Sequence, residues 1–341
     1  MLIRSLNLAR VVGALLLSAA VLAMAGCGAE AESEKHAALE KVDWSKVKLI
    51  LGDQAKGLRT VVEASKAFDG IPYQVEWANF QGAAPLFEAL HAGAVDLAPA
   101  GDTPVLAAAS GGAPLRIVAV RRSRSRSIAI LVPKDSPIQS VADLKGRNVV
   151  VSSARGSISQ YLLIRALADA GVNESDVKIG FVLPTDALSA FNAGKIEAWA
   201  TFGIYQAFAE ENGARVLLSG EGINTGLTFI TASDEVLTDQ VKRQALNDVL
   251  QRMAKAFEWA KAHPDEYAQV FAKVNDVPLP VSRRLHGWGI ESLLPVETSD
   301  VNALQGVDDL FVEKKIFPHK VEVAKLIDRE VFPKAEGVLL R

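Results

Sequence analysis

The stretch "SSARGS" (152–157) follows the apolar run "NVVV" and precedes a segment whose apolar residues recur at helical spacing. A strand, a small polar turn holding Arg155, Gly156 and Ser157, and then a helix form a layout that holds an anion on unpaired backbone N–H groups. Four more stretches occupy the same kind of position, between an apolar run and an amphipathic one. They are "GDQAKG" (52–57), "NFQGAAP" (79–85), "PAGDTP" (99–104) and "ATFGIYQ" (200–206). Their residues are small, polar or aromatic, and Gly82, Gly101, Gly156 and Gly203 let a ligand come close to the backbone. In open α/β sheets this edge, at the C-terminal ends of the strands, is where ligands bind. The chemistry on offer is donation of hydrogen bonds to a small anion, with Arg155 as the natural charged anchor.

Groups that would break bonds are scarce. The five histidines, His36, His91, His263, His286 and His319, are scattered, with no i, i+4 pair and no HExxH pattern, and each reads as a solvated or satisfied side chain. No GxSxG elbow, Walker motif or dinucleotide fingerprint occurs. The only cysteine, Cys27, stands outside any folded lobe, so neither a cysteine nucleophile nor a disulfide framework is available. No metal and no cofactor is expected. Trp77 and Trp199, on expected strands, read as core. The net charge of -3 gives no case for nucleic acid as a partner. The one dense basic run, "RRSRSRS" (121–127), reads as a solvated strand end or loop.

The elements that must position these loops alternate regularly. Strands are expected at "VKLILG", "YQVEWANF", "VDLAPAGD", "LRIVAV", "IAILVP", "RNVVVSS", "VKIGFVLP", "KIEAWATF", "ARVLLSG" and "LTFITAS". Helical segments lie between most of them, several stopped by glycine. That rhythm indicates parallel sheet built from β-α-β units. Beyond "LTFITAS" the chain turns helical, and Leu246, Val249, Leu250, Met253 and Phe257 form an i, i+3, i+4, i+7 stripe. "VSRRLHGWGIESLL" reads as a further helix. A chain of 341 residues can bury two cores. We expect two α/β lobes, one from 46–132 plus 232–341 and one from 133–231. The crossings fall near "LVPKD" and "FITAS", and two such connections permit a hinge with a cleft.

The N-terminus stands apart. Arg4 and Arg10 precede the apolar core "VVGALLLSAAVLAMAG", which reads as a secretory signal over 1–26, followed by a charged, alanine-rich tether over 27–45. Small residues before the lone Cys27 resemble the lipobox of bacterial lipoproteins, although Met24 stands where Leu or Val is usual. Cleavage after Ala25, at an A-x-A site, is the competing reading; lipidation at Cys27 is preferred because that cysteine has no other partner. Either way the protein is exported.

"GDTP" after "AVDLAPA", "ILVPKDSPIQSVADLKGRNVVV" with "RGS" behind it, and "AFNAGKIEAWATF" followed by Tyr205 resemble the periplasmic substrate-binding proteins of ABC importers. The branch is the aliphatic sulfonate, taurine and nitrate group, and the resemblance covers about Val47 to the C-terminal helices. It implies a type II periplasmic-binding fold: two Rossmann-like lobes joined by a two-segment hinge, with the ligand in the cleft and no covalent chemistry. Carried over by position, Gln54, Gln81 and Gly82, Asp102 and Thr103, Gly156 and Ser157, and Phe202 and Tyr205 are the expected ligand contacts, and Arg155, read from its own turn, joins them as the charged anchor. Asp102 also reads as a helix cap before "TPVLAAA". Sulfonate binders tend to show Trp-Asp-Pro-Tyr where this chain has Phe202-Gly203-Ile204-Tyr205, a roomier and less polar wall suited to a bulkier or aromatic tail. The implied role is capture of an organosulfonate or related sulfur-containing anion, at the outer face of the membrane, for a permease and its ATPase, by a lipid-anchored monomer. Nitrate, taurine, a sulfate ester or an aromatic compound are the alternative ligands. A desulfinase-like enzyme on the same fold is the alternative of another class.

Overall fold

The computed structural model describes residues 42–333. The signal over 1–26, Cys27, His36 and most of the tether over 27–45 lie outside the described residues. Trp44–Lys46 forms a single 3-10 turn. From Lys48 onward the chain makes one body containing two five-stranded sheets.

The first sheet draws on β1 (Lys48–Gln54), β2 (Gln74–Phe80), β3 (Leu97–Gly101), β4 (Leu115–Arg122) and β10 (Leu227–Ser233). Their order is β2-β1-β3-β10-β4. Helices α1 (Gly57–Ala64), α2 (Ala83–His91) and α3 (Asp102–Ser110) follow β1, β2 and β3. The second sheet draws on β5 (Ile128–Val132), β6 (Asn148–Val151), β7 (Lys178–Phe181), β8 (Ala198–Phe202) and β9 (Arg215–Ser219), in the order β7-β6-β8-β5-β9. Here α4 (Ile158–Asp169), α5 (Pro184–Asn192) and α6 (Gly203–Glu211) follow β6, β7 and β8. The matching order of the two sheets shows one plan used twice.

Neither sheet is wholly parallel, which corrects the expectation from the alternating rhythm. β1 runs parallel to β2 and β3, and β6 parallel to β7 and β8. β10 is antiparallel to both β3 and β4, and β5 is antiparallel to both β8 and β9. β5 and β10 are the strands that arrive from the other lobe, so they enter their sheets without a β-α-β crossover to fix a parallel direction.

The same two strands move the crossings. Hydropathy places them near 132 and 231, but the sheets change over at 123–127 and 220–226. "LRIVAV" and "IAILVP" are both almost fully buried runs, and the five-residue polar link between β4 and β5, 123–127, has the length of a hairpin loop. Periodicity therefore cannot show that the strands belong to different sheets. The run "RRSRSRS" is the end of β4, with Arg121 and Arg122, followed by the first crossing, and several of its arginines are held in ion pairs. Arg122 grips Asp300 with Nε and Nη2 at 2.7 and 2.6 Å. Arg126 grips Glu221 of the second crossing at 2.9 and 3.1 Å. The two crossings lie side by side, Ser123 N–H donating to Gly226 C=O at 2.8 Å.

Each sheet has its own core. Leu86, Leu106, Ile117 and Phe229 are fully buried in the first lobe. Ile130, Val149 and Leu163 cover one face of the second sheet, and Trp199 with Leu131 and Phe191 the other. Trp199 is core, as its place on a strand implies, and its indole N–H donates to Ser152 Oγ at 2.8 Å. Trp77 is half-buried and stacks on Phe68.

After β10 come α7 (Asp234–Thr238), α8 (Gln240–Ala262), α9 (Pro264–Asn275), α10 (Leu279–Gly287) and α11 (Thr298–Glu313). The stripe on α8 is buried along its whole length, from Leu246 to Phe257, each such side chain contributing about 1.5–3 kcal/mol. Among the described residues no helix is long and apolar enough to cross a membrane.

Candidate functional site

The two sheets present the C-terminal ends of their parallel strands to one cavity of about 850 Å³. All five loops singled out in the sequence reach it. Gln54, Gln81, Gly82, Arg155, Gly156, Ser157, Phe202 and Tyr205 line its wall.

Asp102 and Thr103 do not line it. Both are buried, at 2 and 0 % exposure, behind the end of β3. Gly101 takes the N-cap position of α3, one residue earlier than expected, so Asp102 becomes its first residue. Its carboxylate accepts from Thr103 N–H at 2.7 Å and from the Thr225 hydroxyl on the second crossing. Burial pushes the Asp102 pKa upward. This side chain joins the first lobe to a crossing, and it neither caps α3 in the usual way nor lines the cavity.

Not every helix start offers free donors. The Asp53 carboxylate accepts from the N–H groups of Gln54, Leu58 and Arg59 at 2.7, 3.0 and 2.8 Å, which closes the start of α1. Burial pushes Asp53 up to about 6, against the pull of those backbone donors. At α4 the Ser157 hydroxyl accepts from Gln160 N–H, and Gln160 Oε1 accepts the Gly156 N–H at 2.7 Å. The backbone of the "SSARGS" turn is thus partly satisfied from within. The starts of α2, α5 and α6 carry no side-chain cap, although Gly203 N–H at α6 donates to Ser127 C=O at 2.7 Å and Pro184 at α5 has no N–H. Gly82–Ala84, Pro184–Thr185 and Phe202–Tyr205 at those starts all line the cavity. The first N–H groups of a helix have no intrahelical acceptor, and the dipole end is positive.

Three arginines border the cavity and their surroundings differ. Arg126 is held by Glu221, and Arg121 lies 3.7 Å from Glu291 with its guanidinium 4.6 Å above the Phe257 ring. Arg155 is exposed, its guanidinium 5.9 Å from the Phe181 ring centre, with no carboxylate at ion-pair distance among the described residues. It is the cation left over for an anion. At the end of the neighbouring strand β8, Phe202 and Tyr205 meet edge to face at 6.2 Å.

Sequence reasoning missed a second wall. Phe257, Tyr267, Phe271 and His286, from the helices after β10, and Trp288 and Glu291, from the loop behind α10, line the same cavity, as does Arg121. "VSRRLHGWGIESLL" is not one helix: α10 stops at Gly287, and Gly289 at a φ of 132° turns the chain into a loop. Two glycines around a tryptophan were the available signal. His286, read as a satisfied side chain, does bond to Ser282 C=O at 2.8 Å, but it also faces the cavity. Where α10 meets α6, Arg284 bonds Glu211 and Glu210 across the lobes at 2.5 and 3.0 Å.

The comparisons agree with this geometry. The profile of the NMT1/THI5-like family matches residues 75–267. An Escherichia coli protein named as an aliphatic sulfonates-binding protein is 32% identical over 257 residues, 74% of this chain and 79% of its own. A Bacillus subtilis protein named in the same way is 29% identical over 334 residues, 95% of this chain and 96% of its own. Among solved structures, the alkanesulfonate-binding protein SsuA from Xanthomonas axonopodis pv. citri, bound to MOPS, superposes with a TM-score of 0.74 at 28% identity, covering 82% of this chain and 98% of that one. With half the chain inside one family profile and its two-sheet architecture shared with these relatives, the chain belongs to the NMT1/THI5-like family, alongside the aliphatic sulfonate-binding proteins of ABC importers.

Proposed function

We propose that this protein captures an organosulfonate, or a related sulfur-containing anion, outside the cytoplasm and delivers it to an ABC permease driven by its ATPase. The observation that carries this is the convergence of Arg155 and three uncapped helix starts on one cavity between two sheets. A sulfonate has three acceptor oxygens and no proton to give, so it needs donors and no base. An enclosed site strengthens each such contact, and a handful reaches micromolar affinity, about 8 kcal/mol. Family membership and relatives named as binding proteins support capture over catalysis.

The expected ligand contacts are Gln54, Gln81, Gly82, Arg155, Gly156, Ser157, Phe202 and Tyr205. The test is a thermal melt of the purified protein against alkane- and arenesulfonates, taurine, sulfate esters, nitrate and inorganic sulfate. At a hundred times Kd a ligand adds about 2.7 kcal/mol, a rise in Tm of roughly 5 °C. A rise with nitrate or inorganic sulfate alone overturns the reading, and turnover of any compound replaces it with an enzyme.

The protein works as a monomer held at the outer face of the membrane by a lipid on Cys27. The apolar segment ending in small residues before this lone cysteine supports the anchor. Cys27→Ala is expected to shift the exported protein from the membrane fraction to the soluble one. An unchanged distribution between fractions argues for cleavage after Ala25.

A further inference from the structure

A two-carbon sulfonate fills a small part of a cavity of about 850 Å³, a size typical of sites that enclose drug-sized molecules. The wall supplied by the helices after β10 has its own character. Phe257, Tyr267, Phe271 and Trp288 make it aromatic, and the His286 ring stands edge-on to Tyr267 and Phe271 at 4.4 and 4.9 Å. His286 Nδ1 lies 2.8 Å from the Ser282 carbonyl oxygen. A carbonyl only accepts, so Nδ1 carries the proton. Nε2 is then a lone-pair acceptor, and among the described residues no group donates to it. Burial lowers the His286 pKa to about 4, which keeps the ring neutral at ordinary pH.

The same wall has no net positive charge to offer. Its one cation, Arg121, lies 3.7 Å from Glu291 and over Phe257. A second anionic group on the ligand would meet Glu291, whereas an uncharged ring would lie among four aromatic side chains. A donor on that ring would find His286 Nε2.

We propose that this wall is a second subsite, taking an uncharged aromatic tail whose hydrogen-bond donor is accepted by Nε2 of His286. The subsite rests on the organosulfonate reading and narrows it to hydroxy- or amino-substituted arenesulfonates. A site built to accept from a ligand O–H or N–H discriminates against the analogue lacking it, because a buried acceptor is left unpaired.

The experiment is calorimetric titration of the wild-type protein, His286→Phe and His286→Gln with para-hydroxybenzenesulfonate, para-toluenesulfonate and ethanesulfonate. In the wild type the hydroxy compound binds roughly tenfold tighter than its methyl analogue. His286→Phe removes that difference, and His286→Gln, whose amide oxygen still accepts, retains most of it. Ethanesulfonate binds all three proteins alike, which shows that the variants fold and that the head-group site is intact. Equal binding of the two arenesulfonates to the wild type, a comparison needing no variant, overturns the subsite. So does a difference that survives in His286→Phe. If ethanesulfonate binds and neither arenesulfonate does, the subsite fails alone. If no sulfonate binds, the organosulfonate reading fails and the subsite with it.

Discussion

Arg155→Ala weakens organosulfonate binding roughly 10- to 100-fold and leaves the melting temperature within about 2 °C of the parent. The two halves of this result have separate causes. Arg155 is exposed, pairs with no carboxylate among the described residues, and lies 5.9 Å from the Phe181 ring centre, so truncation removes little from the fold. A hydrogen bond to a charged group contributes about 1.5–3 kcal/mol, and here both partners are ions. Neighbouring donors compensate only in part, because Gly156 N–H is held by Gln160 and the Ser157 hydroxyl, which accepts from Gln160 N–H, has a single uncharged O–H to offer. Arg155→Lys retains the charge and loses the planar fork, so its affinity falls between the two. Titration at two salt concentrations separates charge from packing, since an exposed ion pair weakens as ionic strength rises. A Kd unchanged within about twofold would place the anion on the starts of α2, α5 and α6 alone.

The parts of this site that were legible in the sequence are those set by local pattern. A strand followed by a small polar turn and a helix can be read from a single window, and all five such turns reach the cavity. The stripe from Leu246 to Phe257 is likewise local, and it is buried as its spacing implies. What escaped depends on which segments meet. Nothing near Asp102 announces Thr225, which lies 123 residues away in sequence. Nothing near "RRSRSRS" announces Glu291, Asp300 and Glu221, which turn three of its arginines into structural or cavity groups. An uncapped helix start is equally hard to foresee: Asp53 closes α1 from a strand end, while Gly82 leaves α2 without a side-chain cap and the first N–H of α6 goes to Ser127 C=O on the first crossing. The helical wall escaped for a simpler reason. Helical periodicity through "VSRRLHGWG" continues past the residue where Gly287 and Gly289 end the helix, and so hides a loop that carries Trp288 and Glu291.

Gly226→Ala lowers the melting temperature by roughly 6 °C, a loss of about 3 kcal/mol. Gly226 sits in the second crossing at a φ of 74°, in the left-handed region that costs a residue with a Cβ about 1–2 kcal/mol. A Cβ there would also fall 2.1 Å from the Ser123 carbonyl oxygen and 3.0 Å from its carbonyl carbon. Those are backbone atoms, and no side-chain rotation relieves the collision. The crossings must separate, although Gly226 C=O holds Ser123 N–H at 2.8 Å and the adjacent Thr225 holds Asp102. Separation therefore disturbs the relative placement of the lobes, and ligand affinity falls as well as stability, even when measured far below the melting point. Gly222→Ala isolates the two contributions. It lies in the same crossing at a φ of 78°, and an added methyl there would meet nothing within 4 Å. It therefore bears the backbone cost alone, about 1–2 kcal/mol, and leaves Kd unchanged. If both variants lose the same stability and bind equally well, close packing of the two crossings does not set the geometry of the cleft.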